Sequence, residues 1–196
     1  AWHLGSKSGD AIAQVLYGDY NPSGKLTMSF PRNVGQVPVY YNFKNTGRPS
    51  TSIEQVTNSG YADVENSPLY SFGYGLSYTE FKYSDFEISS STMTKDSKIN
   101  ASIRVTNTGN YKGEEVVQLY LRDIVGSIAR PMKELKGFEK IELNPGESKI
   151  VNFEIENSLL EFYSYNNVWE SEPGKFHVFI GTDSNVRDHK EFYLTN

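Results

Sequence analysis

Two pairs of neighbouring acidic side chains are the first groups in this sequence whose spacing suits chemistry. Glu114 adjoins Glu115, and Glu170 lies just before Glu172. Paired carboxyl groups carry out acid–base catalysis when their surroundings drive the two pKa values apart. Adjacent residues of a strand point to opposite faces, and the Pro-Gly after Glu172 indicates an exposed turn. Both pairs are therefore interpreted as solvated surface carboxylates.

The residue spacing shows no pattern typical of a metal site or of a catalytic nucleophile. The histidines, His3, His177 and His189, are far apart in sequence and lack the spacing of metal ligands. The chain has no cysteine, which excludes thiol catalysis, thiolate ligation and disulfides. Serines are plentiful, but no G-x-S-x-G elbow occurs. We expect no catalytic residue, no metal site and no cofactor in this chain.

Composition narrows the classes of partner. The net charge of −5 comes without a basic stripe, so a nucleic-acid partner is not expected. No apolar run approaches the roughly 18 residues of a membrane helix, so a membrane partner is not expected either. The 196 residues allow one or two domains, and a hydrophobic fraction of 37% can supply a core for them.

The N-terminal part predicts one helix followed by one strand. Apolar residues recur at helical spacing between Ser8 and Tyr17, and Gly18 supplies a C-terminal stop. Residues 26–30 alternate apolar and polar, which is typical of a half-buried strand. One helix and one strand cannot enclose a core, so their apolar faces are expected to pack on the rest of the chain or on another chain. The apolar side chains concerned are Ile12, Val15, Leu16, Leu26, Met28 and Phe30.

The rest of the chain predicts a linker and an all-β domain. Residues 68–81 are crowded with aromatics and glycines, and are interpreted as an ordered linker that lies in a groove. Short strands punctuated by turns follow, as is typical of a β-sandwich. Ile103 and Leu119 are predicted core residues. The predicted strands are 83–89, 99–105, 115–122, 135–143, 149–155, 161–169, 175–181 and 190–194.

Five long motifs follow one another in a recognisable order. They are residues 1–32 (ending GDYNPSGKLTMSFPR), 40–49 (YYNFKNTGRP), 69–81 (LYSFGYGLSYTEF), 105–123 (VTNTGNYKGEEVVQLYLRD) and 130–148 (RPMKELKGFEKIELNPGES). In these motifs the chain resembles the C-terminal end of glycoside hydrolase family 3, the group of β-glucosidases and β-xylosidases. Within that family the resemblance is greatest to the bacterial periplasmic β-glucosidases.

The resemblance implies a mainly β fold in three parts. Residues 1–32 resemble the last helix and strand of an α/β sandwich domain, which is incomplete here. Residues 33–82 resemble the loop and aromatic linker that follow it. Residues 83–196 resemble a fibronectin type III-like β-sandwich.

The resemblance also implies a function for the parent enzyme. A retaining β-glucosidase hydrolyses terminal β-glucosides with two carboxyl groups about 5 to 5.5 Å apart. In this family the Asp nucleophile lies in an N-terminal barrel and the Glu acid/base lies earlier in the α/β sandwich domain. Neither motif matches a position here, so the chain alone is expected to be an inactive structural and accessory region.

The implied partners are the barrel and the α/β sandwich domain, a β-glucoside or β-linked oligosaccharide substrate, and a second copy in a homo-oligomer. A β-xyloside is the alternative substrate. The implied location is periplasmic or extracellular.

A polar loop within residues 33–67 contains the candidates for recognition. Tyr41, Asn45 and Arg48 offer an aromatic ring, an amide and a guanidinium, which suit sugar hydroxyls. The loop is predicted to form either the rim of the active site or a contact with a neighbouring domain or subunit. Two alternative functions stay open, a carbohydrate-binding module with an exposed planar row of aromatics and an oligomerisation module.

Overall fold

The N-terminal part contains the predicted helix. The computed structural model describes residues 2–48 and 60–196. Helix α1 spans Ser8–Tyr17 after a 3-10 turn at Gly5–Lys7, and a second 3-10 turn spans Val34–Gln36. Gly18 ends α1 with a φ of 84°, and its N–H donates to the Val15 carbonyl. Among the described residues, no helix is both long enough and apolar enough to cross a membrane.

Two sheets of mainly antiparallel strands form a β-sandwich. The strands are β1 Phe81–Ile88, β2 Thr92–Met93, β3 Ile99–Asn107, β4 Gly113–Asp123, β5 Glu134–Leu143, β6 Ser148–Ile155, β7 Phe162–Tyr163, β8 Trp169–Glu170, β9 Gly174–Gly181 and β10 Lys190–Leu194. One sheet has the strand order β1-β3-β6, and the other has the order β2-β10-β9-β4-β5, in which β2 runs parallel to β10. A short helix α2, Asn157–Leu160, leads into a separate two-stranded hairpin, β7–β8.

The core lies between the two sheets and follows from strand alternation. Every second residue of β3 is buried from Ile99 onward, because side chains of a strand alternate between its faces. Strand β4 is central, between β5 and β9, and its apolar residues are buried on both faces. Ile103 and Leu119 are 4% and 1% exposed, which confirms both predicted core positions.

Two predicted strands differ from the observed structure. Residues 26–30 form no regular strand, since only Phe30 makes a bridge, with Tyr70 of the linker. A strand needs a continuous neighbour, and the linker offers only separate backbone hydrogen bonds, such as Leu26 N–H to the Tyr74 carbonyl. The predicted strand 161–169 is a hairpin instead, because the chain reverses between β7 and β8 through Asn167, whose φ is 61°.

The described residues cover the apolar faces of the N-terminal segment only in part. Ile12, Leu16 and Met28 are exposed, and the other three predicted contact residues are only half-buried. For the exposed three, packing on the β-sandwich or on the linker is not observed, and the expected packing on another chain stays a prediction. Their apolar surface is open to a partner outside this chain.

Candidate functional site

Tyr41 anchors the polar loop to the β-sandwich. Its ring stacks on Phe72 of the linker, with centroids 4.2 Å apart and planes inclined by 16°. It also meets the edge of the buried Tyr120 ring at 6.1 Å. The Tyr41 hydroxyl oxygen accepts a hydrogen bond of 3.2 Å from the Leu135 N–H. Tyr41 is thus half-buried packing between loop, linker and β5, rather than a free aromatic at a rim.

Asn45 and Arg48 lie further out on the same loop. The Phe43 carbonyl accepts a 2.8 Å hydrogen bond from the Met132 N–H, so the loop runs along the segment before β5. The Asn45 side-chain oxygen accepts from the Gly47 N–H at 3.3 Å and closes a small turn. Asn45 and Arg48 are both exposed on this turn. The structure therefore separates the predicted residues into one anchor, Tyr41, and two exposed polar groups.

A cavity of about 350 Å³ lies between the N-terminal segment, the linker and the β-sandwich. Glu115 lines it and is only 4% exposed, which corrects its interpretation as a surface carboxylate. Lys25 pairs with Glu115 at 2.8 Å, and the Tyr83 hydroxyl donates to it at 3.2 Å. Burial, followed by the charge of Glu115, raises the pKa of Tyr83 far above its usual range. The N-terminal segment thus brings Lys25 onto Glu115 and excludes solvent from it.

Glu114 lines the same cavity but points to the other face of β4. It pairs with Lys140 at 2.7 Å and accepts a 3.0 Å hydrogen bond from the Ser23 hydroxyl. The Lys140 bond is the main cause that lowers the pKa of Glu114. Because a lysine holds each carboxylate, Glu114 and Glu115 are suited to joining the segments and not to transferring protons.

The second acidic pair is also engaged in local structure. Glu170 accepts from Ser164 and from Asn166, and these hydrogen bonds lower its pKa. The carboxylate of Glu172 accepts a 2.7 Å hydrogen bond from the Ser127 N–H. Both residues therefore stabilise turns near the β7–β8 hairpin.

Asp123 is a carboxyl group whose pKa is raised, chiefly by burial. The Arg130 guanidinium lies 3.6 Å away and offsets part of that effect. The neighbouring cavity measures only about 10 Å³, which is less than a single sugar ring requires. Asp123 has the pKa shift of an acid catalyst but no room for a substrate.

The linker is clamped onto the β-sandwich by a buried side-chain network. Gln118 donates to the Gly73 carbonyl at 3.1 Å and to the Thr182 carbonyl at 2.5 Å, and it accepts from the Tyr120 hydroxyl at 2.5 Å. The Phe72 carbonyl accepts a 2.9 Å hydrogen bond from the Ser184 N–H. These bonds fix the linker against the middle of β4 and the segment that follows β9.

Lys133 reinforces the same region. Its ammonium group lies 4.2 Å from the centroid of the Phe179 ring and donates to the carbonyls of Ser184 and Val186. Burial lowers the pKa of Lys133 to about 8. Lys133 thus holds the segment after β9 in the position that contacts the linker.

Linker aromatics mostly pack, as the sequence predicts. Phe72 stacks on Tyr41, and Tyr70 stacks on Tyr74 at 5.1 Å. Tyr78 is more exposed, but its hydroxyl donates to the Val15 carbonyl of α1. The linker therefore ties α1 to the β-sandwich.

The carbohydrate-binding alternative predicts a planar row of exposed aromatics on a sheet face. Many strand aromatics are buried, and the exposed ones are Phe138, Tyr163, Trp169 and Tyr193. Tyr163 and Trp169 meet edge-on at 6.0 Å and 65°. Two rings at that angle cannot both lie flat against one sugar chain. The Tyr163–Trp169 pair therefore gives this alternative no planar platform.

Sequence spacing missed one cluster of side chains. His177 on β9 and His189 before β10 stack at 4.1 Å, next to Glu191. Strand pairing brings these residues together. The only sequence signal was the His-x-Glu alternation at residues 189–191, which places both side chains on one face.

Comparisons with known proteins cover nearly the whole chain. Residues 1–78 match the family described as "Glycosyl hydrolase family 3 C-terminal domain", and residues 115–184 match "Fibronectin type III-like domain". The "Periplasmic beta-glucosidase" of Salmonella typhimurium is 55% identical over 184 residues, which are 93% of this chain and 24% of that protein. A "Putative beta-xylosidase" of Formosa agariphila is 46% identical over 93% of this chain and 23% of that protein.

Solved structures agree with these matches. The crystal structure of a β-glucosidase from Listeria innocua in complex with glucose superposes with a TM-score of 0.90 and 41% identity. It covers all of this chain, which corresponds to 27% of that one. A β-glucosidase of Bifidobacterium adolescentis gives a TM-score of 0.77 at 29% identity, over 98% of this chain and 29% of that one. The chain spans about a quarter of the length of the curated relatives it matches.

Proposed function

The chain belongs to glycoside hydrolase family 3, and we propose that it is the C-terminal accessory region of a retaining β-glucosidase. The observation that carries this proposal is the superposition of the entire chain on about a quarter of a β-glucosidase of known structure. The two acidic pairs and Asp123 agree with it, because the paired carboxylates are held in structural contacts and Asp123 lacks space for a sugar. Bond cleavage would then depend on groups supplied by the rest of the enzyme.

The proposed division of labour follows the three parts of the sequence. Residues 1–32 complete an α/β sandwich domain, residues 33–82 link it, and residues 83–196 brace the linker. The open apolar surface on Ile12, Leu16 and Met28 supports this division, since it suits packing against the remainder of that domain. The Lys25–Glu115 pair and the Gln118 clamp support the bracing role.

The polar loop is proposed to act at the edge of the active site or at a subunit contact. Tyr41 holds the base of the loop, while Asn45 and Arg48 offer exposed hydrogen-bonding groups.

The substrate class proposed for the whole enzyme is terminal β-glucosides, in line with the names of the relatives, and β-xylosides are the second candidate. A periplasmic or extracellular location is proposed from the Salmonella relative.

Assays of the chain alone test the accessory role. The purified 196-residue protein is incubated with nitrophenyl β-glucoside and nitrophenyl β-xyloside, and no turnover above the buffer rate is expected. Turnover that co-purifies with the chain and is lost when Asp123 or Glu115 is changed to the amide would overturn the proposal.

The loop is tested in the full-length enzyme. Arg48→Ala is expected to raise KM or to shift the solution mass, because the guanidinium is exposed on the loop. Arg104→Ala is the matched control, since the Arg104 side chain lies on the outward face of β3 and, among the described residues, forms its ion pair with Asp85 on β1. If Arg48→Ala leaves both kinetics and mass like those of the control, the proposed role of the loop is wrong.

A further inference from the structure

Strand pairing gathers two imidazoles and a carboxylate on one face of the five-stranded sheet. In the antiparallel register of β9 and β10, Glu191 lies directly opposite His177. His189 precedes Glu191 by two positions, so both side chains leave the strand on the same face. The rings of His177 and His189 stack with centroids 4.1 Å apart and planes inclined by 17°.

The ligand atoms of these three residues are close enough to share one ion. Nε2 of His177 lies 3.1 Å from Oε1 of Glu191, and Nε2 of His189 lies 3.9 Å from the same oxygen. One ligand atom from each residue lies within 4.8 Å of the others. Two ligands of a tetrahedral zinc ion are about 3.3 Å apart, a value between the two nitrogen–oxygen distances. Because the two rings are stacked nearly parallel and each nitrogen lone pair lies in its ring plane, metal binding also requires the rings to turn out of the stack until both lone pairs point to the ion.

Hydrogen bonding already orients His189 for this role. Its Nδ1 lies 3.1 Å from the carbonyl oxygen of Arg187, which can only accept, so Nδ1 carries the proton. The lone pair is then on Nε2, the nitrogen that faces Glu191. Metal-binding histidines are usually held by a backbone carbonyl or carboxylate in this way through their second nitrogen.

The surroundings of His177 and Glu191 favour the forms of these two side chains that can bind a metal ion. Burial, followed by the proximity of His189, lowers the pKa of His177, and the cations Arg122 and Lys175 act in the same direction against the opposing charge of Glu191. The hydrogen bond from Lys175 is the main cause that lowers the pKa of Glu191. Neutral imidazole and ionised carboxylate are the states that bind metal.

We propose that His177, His189 and Glu191 form a binding site for a borderline divalent transition metal, with Zn²⁺ as the representative ion. Two imidazole nitrogens and one carboxylate oxygen are a donor set suited to Zn²⁺, and they leave a fourth position for water. Lys175 holds Oε2 of Glu191 at 2.7 Å, so Oε1 is the oxygen that binds the ion. The bound ion joins β9 to β10 and so stabilises the pairing of these two strands within the five-stranded sheet.

Binding is measured on the untagged 196-residue protein after dialysis against EDTA and then against chelator-free buffer. Titration calorimetry with ZnCl₂ at pH 7.5 is expected to show saturable binding of one ion per chain. Free Zn²⁺ at 100 times its dissociation constant should increase the folding equilibrium constant about 100-fold, seen as a higher Tm. With Co²⁺ as the probe, visible absorption bands of a four-coordinate ion are expected.

Variants separate this site from incidental binding. His189→Gln and Glu191→Gln are expected to weaken Zn²⁺ binding at least about tenfold. At known sites, even the loss of a group that only hydrogen-bonds to a metal ligand lowers the metal affinity about 10- to 100-fold. His3→Gln is the matched control, because His3 is exposed in the N-terminal segment and is not a member of the cluster, and it should bind like the unchanged protein. Thermal unfolding without metal verifies that each variant is folded, and His177→Ala is kept as a further variant.

The outcomes are decisive and do not involve hydrolysis, so they are independent of the proposed glycosidase role. Absence of saturable Zn²⁺ and Co²⁺ binding at pH 7.5 would overturn the site. Binding that is retained in a folded His177→Gln/His189→Gln double variant would overturn it as well. Loss of binding in the cluster variants alone, with retention in His3→Gln, would support it.

Discussion

Replacing Gly73 with alanine should release the linker from the β-sandwich. Gly73 has a φ of 81°, in the left-handed region, which costs a residue with a Cβ about 1–2 kcal/mol. A Cβ at this position would lie 2.1 Å from Oε1 of Gln118, an overlap that forces the Gln118 amide to move. Gln118 is buried and bonded to Tyr120, Thr182 and Gly73, so it cannot rotate away without losing partners.

Besides the backbone cost, the displacement of Gln118 lowers the stability of Gly73→Ala, and the size of this second effect can be estimated from the hydrogen bonds that Gln118 loses. Leaving a buried polar group without a partner costs about 1–3 kcal/mol. Gly73→Ala should therefore lower the free energy of unfolding by about 2–5 kcal/mol in total. Gly146→Ala is the matched control, because Gly146 has a φ of 77° and nothing within 4 Å of the added Cβ. The control should lose only the backbone cost of about 1–2 kcal/mol.

Urea unfolding followed by circular dichroism measures both variants. The free energies are compared by linear extrapolation, with the m-value checked for a change in cooperativity. If Gly73→Ala is no less stable than Gly146→Ala, then Gln118 does not clamp the linker and the reasoning fails.

Three further predictions follow from the same structure. Leu119→Ala should lower the free energy of unfolding by about 2–5 kcal/mol. Leu76 is 71% exposed, so Leu76→Ala should change it by no more than about 0.5 kcal/mol. Equal losses for the two variants in urea titrations would contradict the assignment of Leu119 to the core. Since the pKa of His177 is lowered from its ordinary 6.5, the unfolded chain takes up that proton first as the pH falls; stability should drop below about pH 6.5 and do so less steeply in His177→Gln, whereas identical pH profiles would exclude this contribution. Residues 83–196 should fold alone with cooperative thermal unfolding, and a non-cooperative melt would place the domain boundary elsewhere.

Most of the β-sandwich could be predicted from sequence because its longer strands each carry their own pattern, whereas the two-residue strands β2, β7 and β8 are too short to show one. Alternation from Ile99 to Val105 identified a half-buried strand, and the apolar run around Leu119 identified a central one. The predicted strand at residues 26–30 failed for the opposite reason. Its apolar alternation is a property of the sequence, but strand formation also requires a neighbouring strand that the linker provides only at Phe30.

The side-chain sites were less accessible to sequence reasoning. Glu115 reads as one of two surface acids, and only the fold shows that Lys25 from the distant N-terminal segment buries it. The contact between His177 and His189 depends on the register of two paired strands. Register is set by the whole sheet, so spacing along the chain carries little information about it.

The hydrogen bonds of the linker determine when it can fold while the protein is being synthesised. The Phe72 carbonyl accepts a hydrogen bond from the Ser184 N–H, and the Gly73 carbonyl accepts one from the Gln118 side chain. The residues that hold the linker are therefore synthesised long after the linker itself. At about 5–20 residues per second, the N-terminal segment waits several seconds on the ribosome before those partners emerge. During that interval Leu16 and Met28 belong to a nascent chain whose linker has nowhere to dock. A ribosome that stops before Ser184 thus releases a polypeptide with an unseated linker, which is the form that chaperones and proteases would meet.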